Sequence, residues 1–276
     1  MPIAERKVWA EELQTKHAIS IVMSCAVVVI SRTAYYYKPK LVDDTNVISQ
    51  LDLLIEKHPR WGLPKCFKRL RTMGFKWNYK RVHRVYNAMN LNIRRKNKKR
   101  LPPRKPESLV VPEQLNHSWS IDFMSDSLQN HVRFRTFNVI DDFNREALAI
   151  DINTSMPASR VIRILDDVAA WRGYPKKIRV DNGTEFTSHV FTQWAEDKNI
   201  KIDFIQPGSP YQNAFIERFN RTYREDILDL YLFSSLQEVK DLTTEWINLY
   251  NYERPHDSLN DMTPVAYKTA VQNSMN

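Results

Sequence analysis

The stretch "HSWSIDFMSD" (117–126) decides the architecture, because its residues alternate by type. Ser120, Asp122 and Met124 share one face of an extended chain, while Ile121 and Phe123 share the other. A period of two predicts a strand, with an acid placed in its middle. Outward from it, "VRFRTFNVIDDF" (132–143) and "EALAIDIN" (146–153) have the same β-branched and aromatic texture, with turn signals between the runs. Three antiparallel strands are predicted. An amphipathic helix follows in "PASRVIRILDDVAAWRGY" (157–174), then a short strand in "KKIRVDNG" (176–183), a helix in "TSHVFTQWAEDKN" (187–199) and a strand in "IKIDFIQ" (200–206). With the helix that begins in "SPYQNAFIERFN" (209–220), the order is βββαβαβα, an α/β mixed sheet flanked by helices.

Upstream the texture is different. "NIRRKNKKRLPPRKPESLVVPEQLNHSW" (92–119) carries a basic run and then Pro102, Pro103, Pro106 and Pro112, with hardly any apolar period, so 96–115 reads as a linker. Before it, "VISQLDLLIEKH" (47–58) spaces Ile48, Leu51, Leu54 and Ile55 for a helix, and "PKCFKRLRTMGFKWNYKRVHRVYNAMNL" (64–91) reads as two more, divided at Gly74. Asn78 is the expected N-cap of the last, which would bury Val82, Val85, Tyr86 and Met89 and turn Lys80, Arg81, His83 and Arg84 outward. That helix is a candidate recognition helix, and "VVVISRTAYYYK" (27–38), with Ser31 as cap, is a second; a helical bundle with basic solvent faces is the alternative for both. Residues 1–95 are therefore expected to form a helical, helix-turn-helix-like DNA-binding region, 96–115 a linker, and 116–276 the sheet-bearing core with C-terminal helices.

Charge divides the same way. Residues 1–110 hold 24 Lys+Arg against 8 Asp+Glu and residues 111–276 hold 17 against 24, so the two parts carry +16 and −7. A basic module joined to an acidic one points to nucleic-acid contact by the first and a carboxylate-based, metal-binding role for the second. Only Cys25 and Cys66 are present, too few for a disulfide framework or a four-ligand zinc site. Five glycines leave no phosphate loop of the P-loop or dinucleotide kind. The apolar run "AISIVMSCAVVVI" (18–30) is shorter than the ~18 residues of a membrane span and is preceded by Glu5, Glu11 and Glu12, so it reads as a buried helix and neither as a span nor as a signal peptide.

Three carboxylates stand out. Asp122 lies mid-strand, where burial without a partner is costly and a divalent cation is one compensation. Asp181 ends the fourth strand and opens the "DNG" turn, at the kind of sheet edge where α/β proteins bind ligands; serving that turn alone is its other reading. Glu217 lies about 100° around its helix from Ile216, the first residue of an apolar stripe continued by Phe219, Tyr223, Ile227 and Leu230. Its own face carries Asn213, Arg221 and Arg224, and taken alone is better explained as a solvated face. Between Asp181 and Glu217 lie 35 residues, one helix, one strand and the "PGSP" loop (207–210), a connection able to return the chain to the same edge.

Asp122 in "WSIDF", Asp181 in "VDNGTEF" and Glu217 in "PYQNAFIERFN" resemble the DDE triad of insertion-sequence transposases and retroviral integrases. With "YNYERPHDSLNDMTP" (250–264) near the C-terminus, the chain is most similar to OrfB proteins of the insertion sequence three family. "RWGLPK" (60–65) and the β-branched "AVVVI" (26–30) depart from that pattern without touching the triad.

The resemblance implies a ribonuclease-H-like five-stranded sheet and a metal-dependent enzyme that cleaves DNA at element ends and joins the freed 3′-hydroxyl to target DNA. Asp122, Asp181 and Glu217 would ligate two Mg²⁺ ions, with Mn²⁺ as substitute and Asp122 bridging them. Arg221 and Arg224 would lie along the element-end DNA, and Asn213 would either position the terminal nucleotide or cap its helix; Lys80, Arg81, Arg84, Arg94 and Arg95 are the further expected DNA contacts. Other acids, Asp126, Asp141, Asp142, Asp151, Asp166, Asp167 and Glu185, are read as structural or DNA-contacting. Implied partners are terminal-repeat and target DNA, further copies of the chain on that DNA, and an upstream-frame OrfA protein or fusion; the implied setting is a bacterial, nucleoid-associated cytoplasm. Two rivals stay open: a regulator that binds ends without cutting, since neither a leucine heptad nor the upstream frame's extra helix-turn-helix is present, and a ribonuclease-H-like nuclease, against which the basic first half argues.

Overall fold

Alternation in 118–127 makes the central pairing of the molecule. In the computed structural model, which describes residues 2–38, 43–93, 111–206 and 210–275, β1 (Ser118–Ser127) pairs antiparallel with β2 (Arg133–Asp141), and β2 with β3 (Ala147–Asn153). On its other side β1 runs parallel to β4 (Lys177–Val180), and β4 parallel to β5 (Lys201–Phe204). The order β3-β2-β1-β4-β5 is the expected mixed sheet.

Because successive side chains of β1 point to opposite faces, the strand feeds two cores. Trp119 and Ile121 pack with α7 (Ala158–Arg172) and α8 (His189–Asp197), whose buried residues include Val161, Leu165, Phe191 and Ala195. Met124 packs on the other face with α9 (Ala214–Tyr223) and α10 (Leu236–Tyr252) through Ile216, Phe219, Tyr223 and Trp246. Each such side chain removed from water stabilises by roughly 1.5–3 kcal/mol. The apolar stripe read from Ile216 is buried at Phe219, Tyr223 and Ile227, although α9 passes at Arg224–Leu228 into a π-helical turn. A final helix, α11, spans Pro264–Met275.

The helices before the linker fall into two groups. α1 (Ile3–His17), α2 (Ile21–Val27) and α3 (Arg32–Tyr36) lie in one compact unit, residues 1–46, and residues 47–276 form the other. Ser31 caps α3 as expected, accepting from the Ala34 N–H at 3.0 Å. The buried helix expected over 18–30 is a correction: α2 has seven residues, and Val22, Met23 and Val29 are 60%, 62% and 74% exposed. A run with no helical period has no single face to bury, and Val29 leaves the helix in the left-handed region at φ 56°.

α4 (Thr45–Lys57), α5 (Leu63–Thr72) and α6 (Tyr79–Ala88) instead enclose a third core around Leu51, Trp61, Leu70 and Tyr86, in which Val47 takes the place expected of Ile48. Gly74, at φ +95°, ends α5, and Asn78 caps α6 by accepting from the Lys80 N–H at 2.8 Å. The break between compact units thus falls near residue 46 and not at the proline-rich segment. Ion pairs explain why: Glu253 meets Lys57 at 2.7 Å and Arg69 at 3.4 Å, and Lys68 meets Asp257 and Asp261, so the "YNYERPHDSLND" segment fastens α4 and α5 to the core. Residues 96–110 of the expected linker lie outside the described residues.

Candidate active site

Strand register brings the first two acids together. Ser118, Trp119 and Ser120 pair with Lys177, Ile178 and Arg179; two residues further along both strands stand Asp122 and Asp181. Parallel neighbours lie ~4.8 Å apart, so the carboxylates leave adjacent backbones at one level. Asp181 is shaped by its turn: Oδ1 accepts the Gly183 N–H at 2.9 Å, and a Cβ at Gly183 would sit 2.9 Å from that same oxygen. Only glycine allows this approach. Asn182 secures the turn, its Nδ2 donating to the Ile205 carbonyl at 2.9 Å.

The third acid comes with α9. Asn220 donates from Nδ2 to Asp122 Oδ2 at 2.7 Å and accepts at Oδ1 from Asn138 Nδ2 at 2.7 Å; Asn138 is the residue opposite Asp122 on β2. This amide chain fixes α9 against β1, and Glu217, one turn before Asn220, is exposed. Asp122 is half-buried. Burial pushes its carboxyl up, to about 6; the Phe123 N–H and Asn220 oppose the shift, while the charges of Asp181 and Glu217 add to it.

Oxygen donors of this kind suit a hard divalent cation. Asp181 Oδ2 and the Glu217 carboxylate accept no hydrogen bond from the described residues, which leaves them available as ligands. Among those residues no three acid, histidine or cysteine side chains are gathered tightly enough to hold an ion. Most of the other acids are engaged: Asp126 with Arg224, Asp141 with Arg172, Asp142 with Arg179, Asp151 with Arg160, and Glu185 with Arg135. Asp166 accepts from Tyr174 and Trp194.

Residues 112–210 and 198–264 match models of the integrase core domain. The uncharacterized 31.7 kDa protein of insertion element IS407 from Burkholderia multivorans is 35% identical over 253 residues, 91% of this chain and 91% of that protein. The chain belongs to the integrase-core transposases of insertion elements. It is a DDE polynucleotidyl transferase, and its substrate is DNA. The transposase for insertion sequence element IS629 from Shigella sonnei is 23% identical over 231 residues, 80% of this chain and 77% of that one. The HTLV-2 integrase catalytic core domain, solved in complex with magnesium, aligns at a TM-score of 0.41 and 17% identity, covering 55% of this chain and 95% of that one.

The transposase's expected DNA contacts differ in setting. Arg221 is exposed beside Glu217, whereas Arg224 is drawn to the end of β1, meeting Asp126 at 3.2 Å and donating to the Ser125 carbonyl at 3.0 Å. Asn213 precedes α9 but makes no capping bond, and at 3% exposure it is withdrawn from the face that Glu217 and Arg221 share. Lys80 and Arg84 are exposed on α6 and Arg81 is half-buried; Arg94 and Arg95, like residues 207–209 of the "PGSP" loop, lie outside the described residues. Two residues given no role from the sequence belong to the site. Asn220 closes the "ERFN" motif and orients Asp122, and Arg135 holds Glu185 while lying 4.2 Å from the Phe123 ring centroid. No helix among the described residues is long and apolar enough to cross a membrane.

Proposed function

We propose that Asp122, Asp181 and Glu217 are the catalytic acids of this transposase, that together they hold two divalent cations, Mg²⁺ with Mn²⁺ as substitute, and that the DNA they act on is the end of an insertion element and its target. The observation that carries this reading is the juxtaposition of three acids that pair with no cation among the described residues, on a sheet whose other acids are mostly so paired. When bound, such ions make an attacking oxygen nucleophilic and offset charge on the phosphate and on the leaving oxygen.

The chain's own residues supply the positioning. Asn220 holds the Asp122 carboxylate by one oxygen, and the Phe123 N–H holds the other at 2.8 Å, so its direction is set before DNA arrives. Asp181 is held by the Gly183 N–H, and Glu217 extends from the first turn of a packed helix. Arg221 lies one turn beyond Glu217 and would meet the backbone of the bound end; Lys80, Arg81 and Arg84 would meet DNA from α6, and Arg94 and Arg95 from the segment after it. Element ends are brought together by further copies of the chain, with an OrfA protein or fusion adding contacts, in a nucleoid-associated setting.

Incubating the full chain with element-end DNA and Mn²⁺, beside a Glu217→Gln variant, tests this. Cleavage and end joining that disappear in the variant are expected. Binding without cleavage by the unmodified chain would favour a regulator, and cutting indifferent to the end sequence a nuclease.

A further inference from the structure

A second site lies around the surface of α9 from Glu217. A cavity of about 340 Å³ is lined by Lys65 of α5, Arg145 of the β2–β3 turn, Arg218 and Phe215 of α9, and Arg254 and His256 of the segment after α10. Of its four cations only Arg254 is in an ion pair, with Asp226 at 2.6 Å; the acid in the lining, Asp257, is paired with Lys68 of α5. Lys65, Arg145 and Arg218 form no ion pair with any described residue. Arg145 is the most costly of them: it is 8% exposed, its guanidinium lies 3.5 Å from the Phe215 ring centroid, its Nη1 is buried without a hydrogen-bond partner, and its backbone is left-handed at φ 60°. His256 Nε2 is likewise buried and unpartnered. Burial and the neighbouring Arg254 push Lys65 down to about 7, and burial pushes His256 down to about 3.

Like charges and an orphaned guanidinium donor gathered around a cavity destabilise the protein by itself, and an anion relieves both. Phosphate is the anion a DNA-processing enzyme meets, and guanidinium groups match its oxygens. Geometry chooses which phosphate. Glu217, Arg218 and Arg221 are the exposed residues of α9, with Asp122 and Asn220 on one flank and the cavity on the other. A helix is ~10 Å across and a DNA strand advances ~3.4 Å per phosphate, so a strand crosses α9 in about three phosphates.

We propose that this cavity receives a backbone phosphate of the DNA strand that crosses α9, anchoring that strand about three nucleotides from the acids. This rests on the reading of Glu217 as a catalytic acid. In its consequence, "RPH" (254–256) and Arg145 form a grip on DNA, and Lys65 joins the helices before the linker to it.

The test uses the full chain, a labelled 12-nucleotide single strand, and the same strand with neutral methylphosphonate linkages. The Lys65→Met/Arg218→Gln variant is expected to bind the phosphodiester strand about tenfold more weakly, with a salt slope shallower by ~0.7 per lost contact. It should bind the methylphosphonate strand as the unmodified chain does. Inorganic pyrophosphate should displace the phosphodiester strand from the unmodified chain. Lys65→Met alone should melt at a higher temperature than the unmodified chain without DNA, which separates loss of a phosphate contact from loss of fold. An unchanged salt slope in a folded double variant overturns the proposal. So does pyrophosphate that binds without displacing the strand, which would assign the cavity to a free anion. Neither result depends on cleavage, so this proposal and the assignment of the triad fail separately.

Discussion

Two sets of acids sit on one sheet and are treated in opposite ways. Asp141, Asp142 and Glu146, at the turn between β2 and β3, are all buried, and each is supplied with donors: Arg172 reaches Asp141 at 3.0 Å and Glu146 at 2.6 Å, and Arg179 reaches Asp142 at 3.1 Å, beside Ser118 and Ser120. Asp122, Asp181 and Glu217 are less buried and, from the described residues, receive two backbone N–H groups and one amide between them, and no guanidinium. Burial alone therefore does not mark a working acid. On the proposed assignment, what marks it is negative charge that the fold brings together with no cationic partner among the described residues.

The sharpest way to break that contrast is to neutralise one acid in each set. Asp122→Asn is expected to lower metal-dependent cleavage on the order of 10⁴-fold, ~5 kcal/mol in barrier, while leaving the melting temperature unchanged or raised. Single-turnover cleavage beside a thermal melt measures both. A variant that lost cleavage only because it had unfolded would place Asp122 with the structural acids.

Asp142→Asn should do the reverse, costing about 1–3 kcal/mol of stability because Arg179 would keep only Asp203, at 3.3 Å, of its two carboxylate partners. Urea unfolding reads this, and pairing the change with Arg179→Met should recover most of it. If the single variant were as stable as the parent, the ion pair would not be what holds this end of the sheet.

How far the sequence foretold these roles depends on how local each cause is. The strands were legible because alternation is a property of neighbours, and the 35-residue interval from Asp181 to Glu217 because it is a count. The run at 18–30 was misread since apolar content without a period does not say which side is buried, and Val22 and Met23 face solvent. Asn220 stood in a quoted motif, yet its role exists only once α9 lies against β1 and its amide spans Asn138 and Asp122. The basic cavity was least legible of all, because residues 65, 145, 218 and 254 meet only through tertiary packing.

pH sharpens the comparison from the structural side. Burial pushes Glu146 upward, but Arg172, Asn144 and Lys268 outweigh it and hold the carboxyl below the ordinary 4.5. A group depressed in the folded state contributes stability above its unfolded value and loses it as pH falls through the folded one. Glu146→Gln should therefore cost about 1.5–3 kcal/mol at pH 7, and the gap to the parent should close progressively below pH ~4.5. A gap that stayed constant from pH 7 to 3 would mean that packing, and not charge, is what Glu146 supplies.

The smallest expected effect falls on the residue that joins the two descriptions. Asn220 is buried and hydrogen-bonded like a structural group, but one of its partners is Asp122. Asn220→Ala strands the Asn138 amide and costs about 1 kcal/mol, which a melt can detect. If the bond to Asp122 only fastened the helix, cleavage under conditions where the variant is fully folded would be unchanged. If it also directs the carboxylate, kcat should fall about tenfold with little change in KM, and activity should recover partly at higher Mn²⁺ because a misdirected ligand weakens ion binding. Recovery with metal separates the two, since added ions cannot restore a lost helix contact but can refill a weakened site.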